Sequence, residues 1–406
     1  MRLLHTSDWH LGQHFMGKTR QAEHRAFCDW LVERVREHAV DALIVAGDLF
    51  DSGAPPSHAR EQYNRFIVAL RATGARLVVL GGNHDSVAML GESRGLLACL
   101  DTWVIPGVAA DPAEQLLLLP RRDGAPGALL CAIPFIRPRD VLKSEAGQSA
   151  DAKLQALQAA IREHYRALFA LAEARRRELG GALPIVATGH LTTVGASASE
   201  SVREIYVGSL EAFPTDAFPP AAYVALGHIH RPQQVAGLEH IRYSGSPIPL
   251  SFDEARQCKE VLLVDLGEDG LEAVTPLPVP CFQPLLTLRG DLAELAGAVV
   301  EAAAGGSAER PVWLEVRVVA DEHLPDLPAR VAALCAGLPV EVLRIRRERG
   351  DAVARLCREA RETLDELSPE EVFEQRLAGA ALDEALAGRL RGLHRQVLDE
   401  LREERA

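Results

Sequence analysis

Short apolar runs recur through the first half of the chain, and each ends in polar residues. Leu3–His5, Ala42–Val45, Leu77–Leu80, Ile185–Ala187 and Tyr223–Leu226 have the length and continuity of strands buried on both faces. Between them, apolar positions three and four residues apart predict helices over 19–38, 56–73, 87–99 and 151–179. Strands alternating with helices give an α/β fold through residue 280. The helix over 151–179 carries Arg175-Arg176-Arg177 near its end, where cations suit the helix dipole, so a solvated helix end is the reading for that run.

The pattern changes at prolines 276, 278, 280 and 284, which mark a domain boundary. Beyond it, Leu285–Leu288, Val312–Val319 and Val340–Ile345 read as strands and 291–304 and 326–336 as helices, a small α+β domain with a three-stranded sheet. Arg344, Arg346, Arg347 and Arg349 follow its last strand, as a solvated linker or, less favoured, a phosphate-contacting patch. Ser368-Pro369-Glu370-Glu371 has the form of a helix N-terminal capping box. After it, Leu382, Leu386, Leu390, Leu393, Val397 and Leu401 make one apolar stripe. That stripe suits docking on the chain's own body or on a partner protein. A terminal helical hairpin has little core of its own, which favours the partner. The expected organisation is therefore 1–280, 281–350 and a C-terminal helical segment over 351–406.

Composition narrows the class. A hydrophobic share of 48% with 25% charged residues suits a soluble globular protein with a sizeable core. Neither a signal-peptide core nor a run long enough to cross a bilayer is expected. The seven cysteines are scattered, with no CxxC pair, as in a reducing cytoplasm. The net charge of −13 argues against strong DNA binding by this chain alone, because such affinity comes mainly from Lys and Arg contacts to phosphate. Bound cations or a basic partner would offset it.

The polar clusters carry the chemistry. They read Asp8-Trp9-His10, Gly47-Asp48, Gly82-Asn83-His84-Asp85, Gly189-His190 and Gly227-His228-Ile229-His230. Ligand crevices in open α/β sheets lie beyond the carboxyl ends of the strands, so all five should converge at one sheet edge. Two divalent cations roughly 3.5–4 Å apart can clamp both the attacking and the leaving oxygen of a phosphoryl displacement. Such a centre needs a bridging carboxylate, for which Asp48 is the best placed. Asp8, His10 and His230 would complete one position, and Asn83, His190 and His228 the other. An oxygen and nitrogen set without thiolate suits Mn²⁺ or Fe better than a structural zinc, with zinc still open. His84 is expected as a catalytic group that protonates or stabilises the departing oxygen, with Asp85 orienting it. Water supplies the nucleophile, so no Ser or Cys is required.

These clusters resemble the signature set of the calcineurin-like metallophosphoesterases, and within them the nuclease subunits of the SbcC–SbcD type. Thr6–Gly12, Ala46–Asp51, Ala225–His230, Pro311–Leu314 and Leu367–Phe373 all fit that pattern. The resemblance implies a Mn²⁺-dependent exonuclease and endonuclease acting on DNA ends and hairpins in the cytoplasm, near the nucleoid. It implies an α/β sandwich of mixed sheets flanked by helices, a small α+β capping domain over the site and a C-terminal helical segment bound to the coiled coil of an SbcC-type ATPase. It further implies a homodimer of this chain within a heterotetramer, meeting through helices that correspond to 56–73 and 87–99. Two other functions share the residues: a small-molecule phosphatase or phosphodiesterase, and a non-catalytic DNA-end scaffold.

Gly12-Gln13-His14-Phe15-Met16-Gly17-Lys18-Thr19 matches the P-loop pattern. A P-loop follows its strand directly, whereas Asp8 and His10 occupy that junction here. No nucleotide is therefore expected on this chain, and ATP dependence is assigned to the partner.

Overall fold

A computed structural model describes residues 1–142, 149–197, 213–319 and 326–348, with isolated positions at 199, 202 and between 373 and 396. The capping box at 368–371 and three of the six stripe positions, Leu382, Val397 and Leu401, lie outside the described residues. Leu386, Leu390 and Leu393 are helical, and Leu386 and Leu393 are exposed. The chain divides into two compact units. One comprises Met1–Thr287, Val299–Glu315 and Gly337–Arg344; the other comprises Leu288–Ala298, Val316–Ala336 and Ile345–Ala406.

Every apolar run expected as a strand is one: Arg2–Thr6, Ala42–Val45, Arg76–Leu80, Ile185–His190 and Tyr223–Gly227. They are shared between two six-stranded sheets. The first has the order Gly270–Pro278, Glu260–Gly267, Arg2–Thr6, Ala42–Val45, Arg76–Leu80, Thr102–Ile105. The second has the order Gln233–Val235, Leu238–Tyr243, Tyr223–Gly227, Ile185–His190, Pro126–Cys131, Leu116–Pro120. The first sheet is parallel from Arg2–Thr6 to its Thr102–Ile105 edge and antiparallel at the other edge. The second is parallel at its centre with an antiparallel strand at each edge, so both sheets are mixed.

Side-chain alternation along each strand builds three apolar layers. Leu3, Ile44, Val78 and Leu262 of the first sheet pack on Leu130, Val186 and Ala225 of the second. Their neighbours Leu4, Leu43, Val45 and Val79 point the other way, onto Phe27, Leu31, Phe66 and Ile67 of helices Gln21–Glu37 and Ser57–Arg71. On the far side, Leu129, Ile185 and Leu226 meet Leu157, Ile161, Tyr165 and Leu168 of the long helix Ala150–Glu178. The result is helix, sheet, sheet, helix. His5 is a polar stitch through the middle layer, with Nδ1 2.9 Å from Tyr223 Oη and Nε2 3.2 Å from Leu226 O.

Three expectations are corrected. The helix expected over 87–99 is two, Val87–Gly91 and Arg94–Ala98, broken where Gly91 and Ser93 give little helical support. The first prolines of the proposed boundary, Pro276 and Pro278, lie inside the strand Gly270–Pro278. That strand is at the sheet edge, where a missing N–H is tolerated. Arg344, Arg346 and Arg347 do not follow the last strand but lie within it, in Val340–Glu348, with Arg344 3.4 Å from the buried Glu315.

The segment resembling a P-loop is a β-hairpin, pairing His14 with Thr19 and Phe15 with Lys18. Its two turn residues, Met16 and Gly17, both have positive φ (48° and 83°), as a tight two-residue hairpin requires. Lys18 pairs with Glu341.

Candidate metal centre

The five polar clusters do meet, but not at the edge of one sheet as expected. Three follow strands of the first sheet and two follow strands of the second, and they converge where the carboxyl ends of the two sheets come together. The loops after Arg2–Thr6 and Ala42–Val45 run side by side, bonded through Asp8 N to Gly47 O (3.0 Å), His10 N to Asp48 O (3.1 Å) and Leu11 N to Leu49 O (2.9 Å). Trp9, fully buried between the two ligand candidates, anchors the first loop. Its ring sits edge-on to Phe27 and Phe66, and its Nε1 donates to Thr6 Oγ1. Asp8, His10, Asp48 and His228 all have positive φ (54°, 49°, 48° and 93°), a backbone region that non-glycine residues rarely adopt. Such conformations persist where the surroundings over-determine them, as the paired loops do here. Gly47, at φ 93°, has no alternative: a Cβ there would strike the His190 ring.

Each carboxylate is aimed by a neighbouring loop. Asp8 Oδ1 accepts from His228 N at 2.9 Å and Oδ2 from Ser7 Oγ at 2.5 Å. Asp48 Oδ1 accepts from His84 N at 2.9 Å. That leaves Asp48 Oδ2 facing two groups of imidazoles, 3.7 Å from His10 Nε2 on one side and 3.3 Å from His190 Nε2 on the other. Asp8, His10 and His230 converge on one position and Asp48, His190 and His228 on another. Asn83 Oδ1 joins the second group, 2.9 Å from His190 Nε2 and 3.2 Å from His228 Nδ1.

The unsatisfied atoms of this arrangement ask for cations. His10 Nε2 is buried without a hydrogen-bond partner. His190 Nδ1 lies 2.9 Å from the Ala46 carbonyl and must donate to it, which leaves the Nε2 lone pair facing the acceptors Asn83 Oδ1 and Asp48 Oδ2. Acceptors do not approach at such distances unless a proton or a cation lies among them. Without a cation the balance falls on protons. Burial opposes charge on His190, but Asp48 outweighs it and pushes the imidazole up to about 9. Burial likewise opposes ionisation of Asp48, yet the surrounding imidazoles of His190, His10 and His84 hold it well below the usual carboxylate range. His228 is held well below the ordinary imidazole value by burial and by His190. Its neutral form is the one a metal ligand needs.

The expected partnership of His84 and Asp85 is corrected. The carbonyl of Asp51 orients the His84 ring, 2.9 Å from Nδ1, and its Nε2 comes within 4.0 Å of Asp48 Oδ2. Asp85 turns away to accept from the backbone N–H groups of Leu49, Phe50 and Gly82 at 3.1, 3.0 and 2.9 Å. It ties the Asp48 loop to the Asn83 loop and carries no proton for His84. Burial, with Asp48 nearby, pushes Asp85 up to about 6 against those three bonds.

Sequence reasoning passed over the residues behind the ligands. Asp51 Oδ1 is 3.2 Å from His10 Nδ1, and Glu254 Oε1 is 3.2 Å from His230 Nδ1. Neither ends an apolar run, and the only hint at Asp51 is a second acid three residues beyond Asp48.

Residues 1–232 match the calcineurin-like phosphoesterase family, and residues 281–380 match a domain described as the type 5 capsule protein repressor C-terminal domain. Over 401 residues the chain is 54% identical to the SbcD subunit of the nuclease SbcCD from Escherichia coli strain K12, covering 99% of this chain and 98% of that one. The chain belongs to the SbcD nuclease family. The corresponding protein of Rhodobacter capsulatus is 36% identical over 363 residues, covering 84% of this chain and 88% of that one. Family membership makes the chain a metal-dependent phosphoesterase of the nuclease kind, and the buried carboxylates and imidazoles are its candidate dimetal centre.

Proposed function

We propose that this chain is the nuclease subunit of an SbcC–SbcD-type complex, hydrolysing DNA phosphodiesters as an exonuclease at duplex ends and an endonuclease at hairpins. The observation that carries the reading is the position of Asp48 Oδ2 between two separate imidazole groups, one joined by Asp8 and the other by Asn83. Asp8, His10, Asp48 and His230 would hold one cation; Asp48, Asn83, His190 and His228 would hold the other. The hard oxygen donors and imidazoles favour Mn²⁺. When bound, such a pair supplies Lewis-acid stabilisation of phosphoryl oxygens and lowers the pKa of water.

The chain's own groups do the rest. With Nδ1 donating to the Asp51 carbonyl, His84 presents Nε2 to the centre, where an imidazolium proton can pass to or hydrogen-bond the departing oxygen. The first sheet supplies the acids and the second supplies three imidazoles, so a phosphodiester is gripped across the seam. The net charge of −13 supports a division of labour in which an SbcC-type coiled-coil ATPase provides most of the hold on DNA. Val68 and Leu96, exposed on helices Ser57–Arg71 and Arg94–Ala98, support pairing of two copies of this chain within a heterotetramer. Among the described residues no helix is long and apolar enough to cross a membrane.

The test is incubation of the purified chain, with and without its ATPase, with Mn²⁺ and end-labelled duplex and hairpin DNA beside a small chromogenic phosphodiester. Asp48→Ala should abolish metal loading and cleavage. His84→Ala should keep its metal and lose turnover by roughly 10²–10⁴-fold, the usual contribution of a general acid. Full turnover by the His84 variant would refute its role. Cleavage of the small ester alone, even with the ATPase present, would replace the nuclease with a small-molecule phosphodiesterase.

A further inference from the structure

The imidazoles in the two halves of the centre are backed by different chemistry. In the Asn83 half, the neutral Ala46 carbonyl holds His190. In the Asp8 half, carboxylates hold both rings: Asp51 holds His10 and Glu254 holds His230. Asp51 is partly open to solvent, whereas Glu254 is fully buried in a short turn of helix, Phe252–Glu254.

Glu254 has its own counter-ion. Its Oε2 lies 2.6 Å from the buried Lys259 Nζ and also accepts from Leu250 N at 3.0 Å and Ser246 Oγ at 3.2 Å. Lys259 Nζ in turn donates to the backbone carbonyl of His230 at 2.9 Å. The pair therefore grips one ligand candidate twice, at its ring through Glu254 and at its main chain through Lys259. Burying two charges this way is a poor route to stability, since well-packed apolar replacements of such pairs are often as stable or more so. A carboxylate behind a ligating imidazole does have a use: it fixes the tautomer and raises the basicity of the other ring nitrogen.

We propose that Glu254, fixed by Lys259, is a positioning residue that directs His230 Nε2 into the centre and sets the divalent-cation affinity of the Asp8, His10 and His230 half independently of the other half. The proposal rests on the two-metal reading above. The positive charge that an imidazole acquires on binding a cation is stabilised by the Glu254 carboxylate, an effect the Ala46 carbonyl supplies only weakly behind His190.

The experiment is Mn²⁺ titration of the purified full-length chain by calorimetry, with free Mn²⁺ counted by electron paramagnetic resonance. Two ions per chain are expected in the wild type. Glu254→Gln should weaken one binding event by about 10- to 100-fold, the usual cost of losing such a partner, and leave the other unchanged. Glu254→Asp should restore part of the affinity. Asn83→Ala should weaken the event that Glu254→Gln spares. A double variant, Glu254→Met with Lys259→Met, removes both charges together and guards against a mere folding defect. It should melt near the wild-type temperature and show the same one-sided loss. Two events of wild-type affinity in Glu254→Gln, or equal weakening of both in a variant of wild-type melting temperature, would overturn the proposal. A wild-type chain that binds no Mn²⁺ would overturn the two-metal reading and this inference with it.

Discussion

The two sheets make unequal contributions to the centre. The first brings Asp8, His10, Asp48, Asn83 and His84 on loops that bond to one another before they face the site. The second brings only imidazoles, His190, His228 and His230, from strands Ile185–His190 and Tyr223–Gly227 and the turn beyond the latter. All the anionic ligand candidates are thus on one side of the seam. Neither sheet alone offers a complete set for either cation, so the centre exists only while the sheets stay packed. The protein also works to hold them together at that point, through His190 Nδ1 to Ala46 O and His5 to Tyr223. A cation bound by both sheets would act as a clasp on the middle of the fold.

Three experiments would break or sharpen this contrast. Gly47→Ala should have the largest effect, because the new methyl would meet the His190 ring from the opposite sheet while the backbone sits at φ 93°. Mn²⁺ binding by both halves should fall with the shared Asp48, and nuclease activity should drop by orders of magnitude. Wild-type Mn²⁺ stoichiometry in this variant would show that the seam has more give than the geometry allows. Next in size is removal of the metal. A cation at about 100 times its dissociation constant stabilises a fold by roughly 2.7 kcal/mol, so chelation should lower Tm by several degrees. An unchanged Tm after chelation would mean that the clasp carries no load.

Near neutral pH the smallest effect is that of pH on the metal-free protein, which grows only as the medium turns acid. Burial drives His5 down to about 3, only partly offset by its bond to the Leu226 carbonyl. Burial, with the Arg20 cation nearby, does the same to His24. Both are neutral when folded, whereas the unfolded chain protonates them below about 6.5. Stability from these residues is therefore complete above about pH 6.5 and is lost as pH falls towards 3. The slope approaches about 1.4 kcal/mol per pH unit for each residue. Urea melts across that window should show the decline, and His24→Gln should flatten it.

How much of this was legible in the sequence depends on physical range. A buried strand announces itself by continuous apolar residues, and the strand-end rule then places the residues just beyond it, so Asp8, Asp48, Asn83, His190 and His228 could be brought together without coordinates. The same reasoning failed at Asp85. Sequence adjacency suggested a partner for His84, but the turn directs the two side chains apart and gives Asp85 three backbone donors. Glu254 and Lys259 were silent because a buried ion pair has no periodicity: five residues apart, they read as ordinary surface charges until the fold closes over them. The break near Gly91 is of another kind, since weak helix formers lower the odds of a helix without deciding where it stops. The terminal stripe is only half described: Leu386, Leu390 and Leu393 are helical, with Leu386 and Leu393 exposed, and the partner they would meet stays an expectation of the sequence.

The order of strands in the first sheet has a consequence in time. Arg2–Thr6 leaves the ribosome before both of its sheet neighbours, yet it lies in the middle of the sheet, with Ala42–Val45 on one side and Glu260–Gly267 on the other. The backbone N–H that aims Asp8 belongs to His228, 220 residues later. At translation rates of about 5–20 residues per second, the nascent chain must carry an unfinished ligand loop for roughly ten seconds or more before the rest of the site emerges. The full set of ligand candidates therefore exists only after most of the chain has been made, and a product interrupted before His228 lacks the centre altogether.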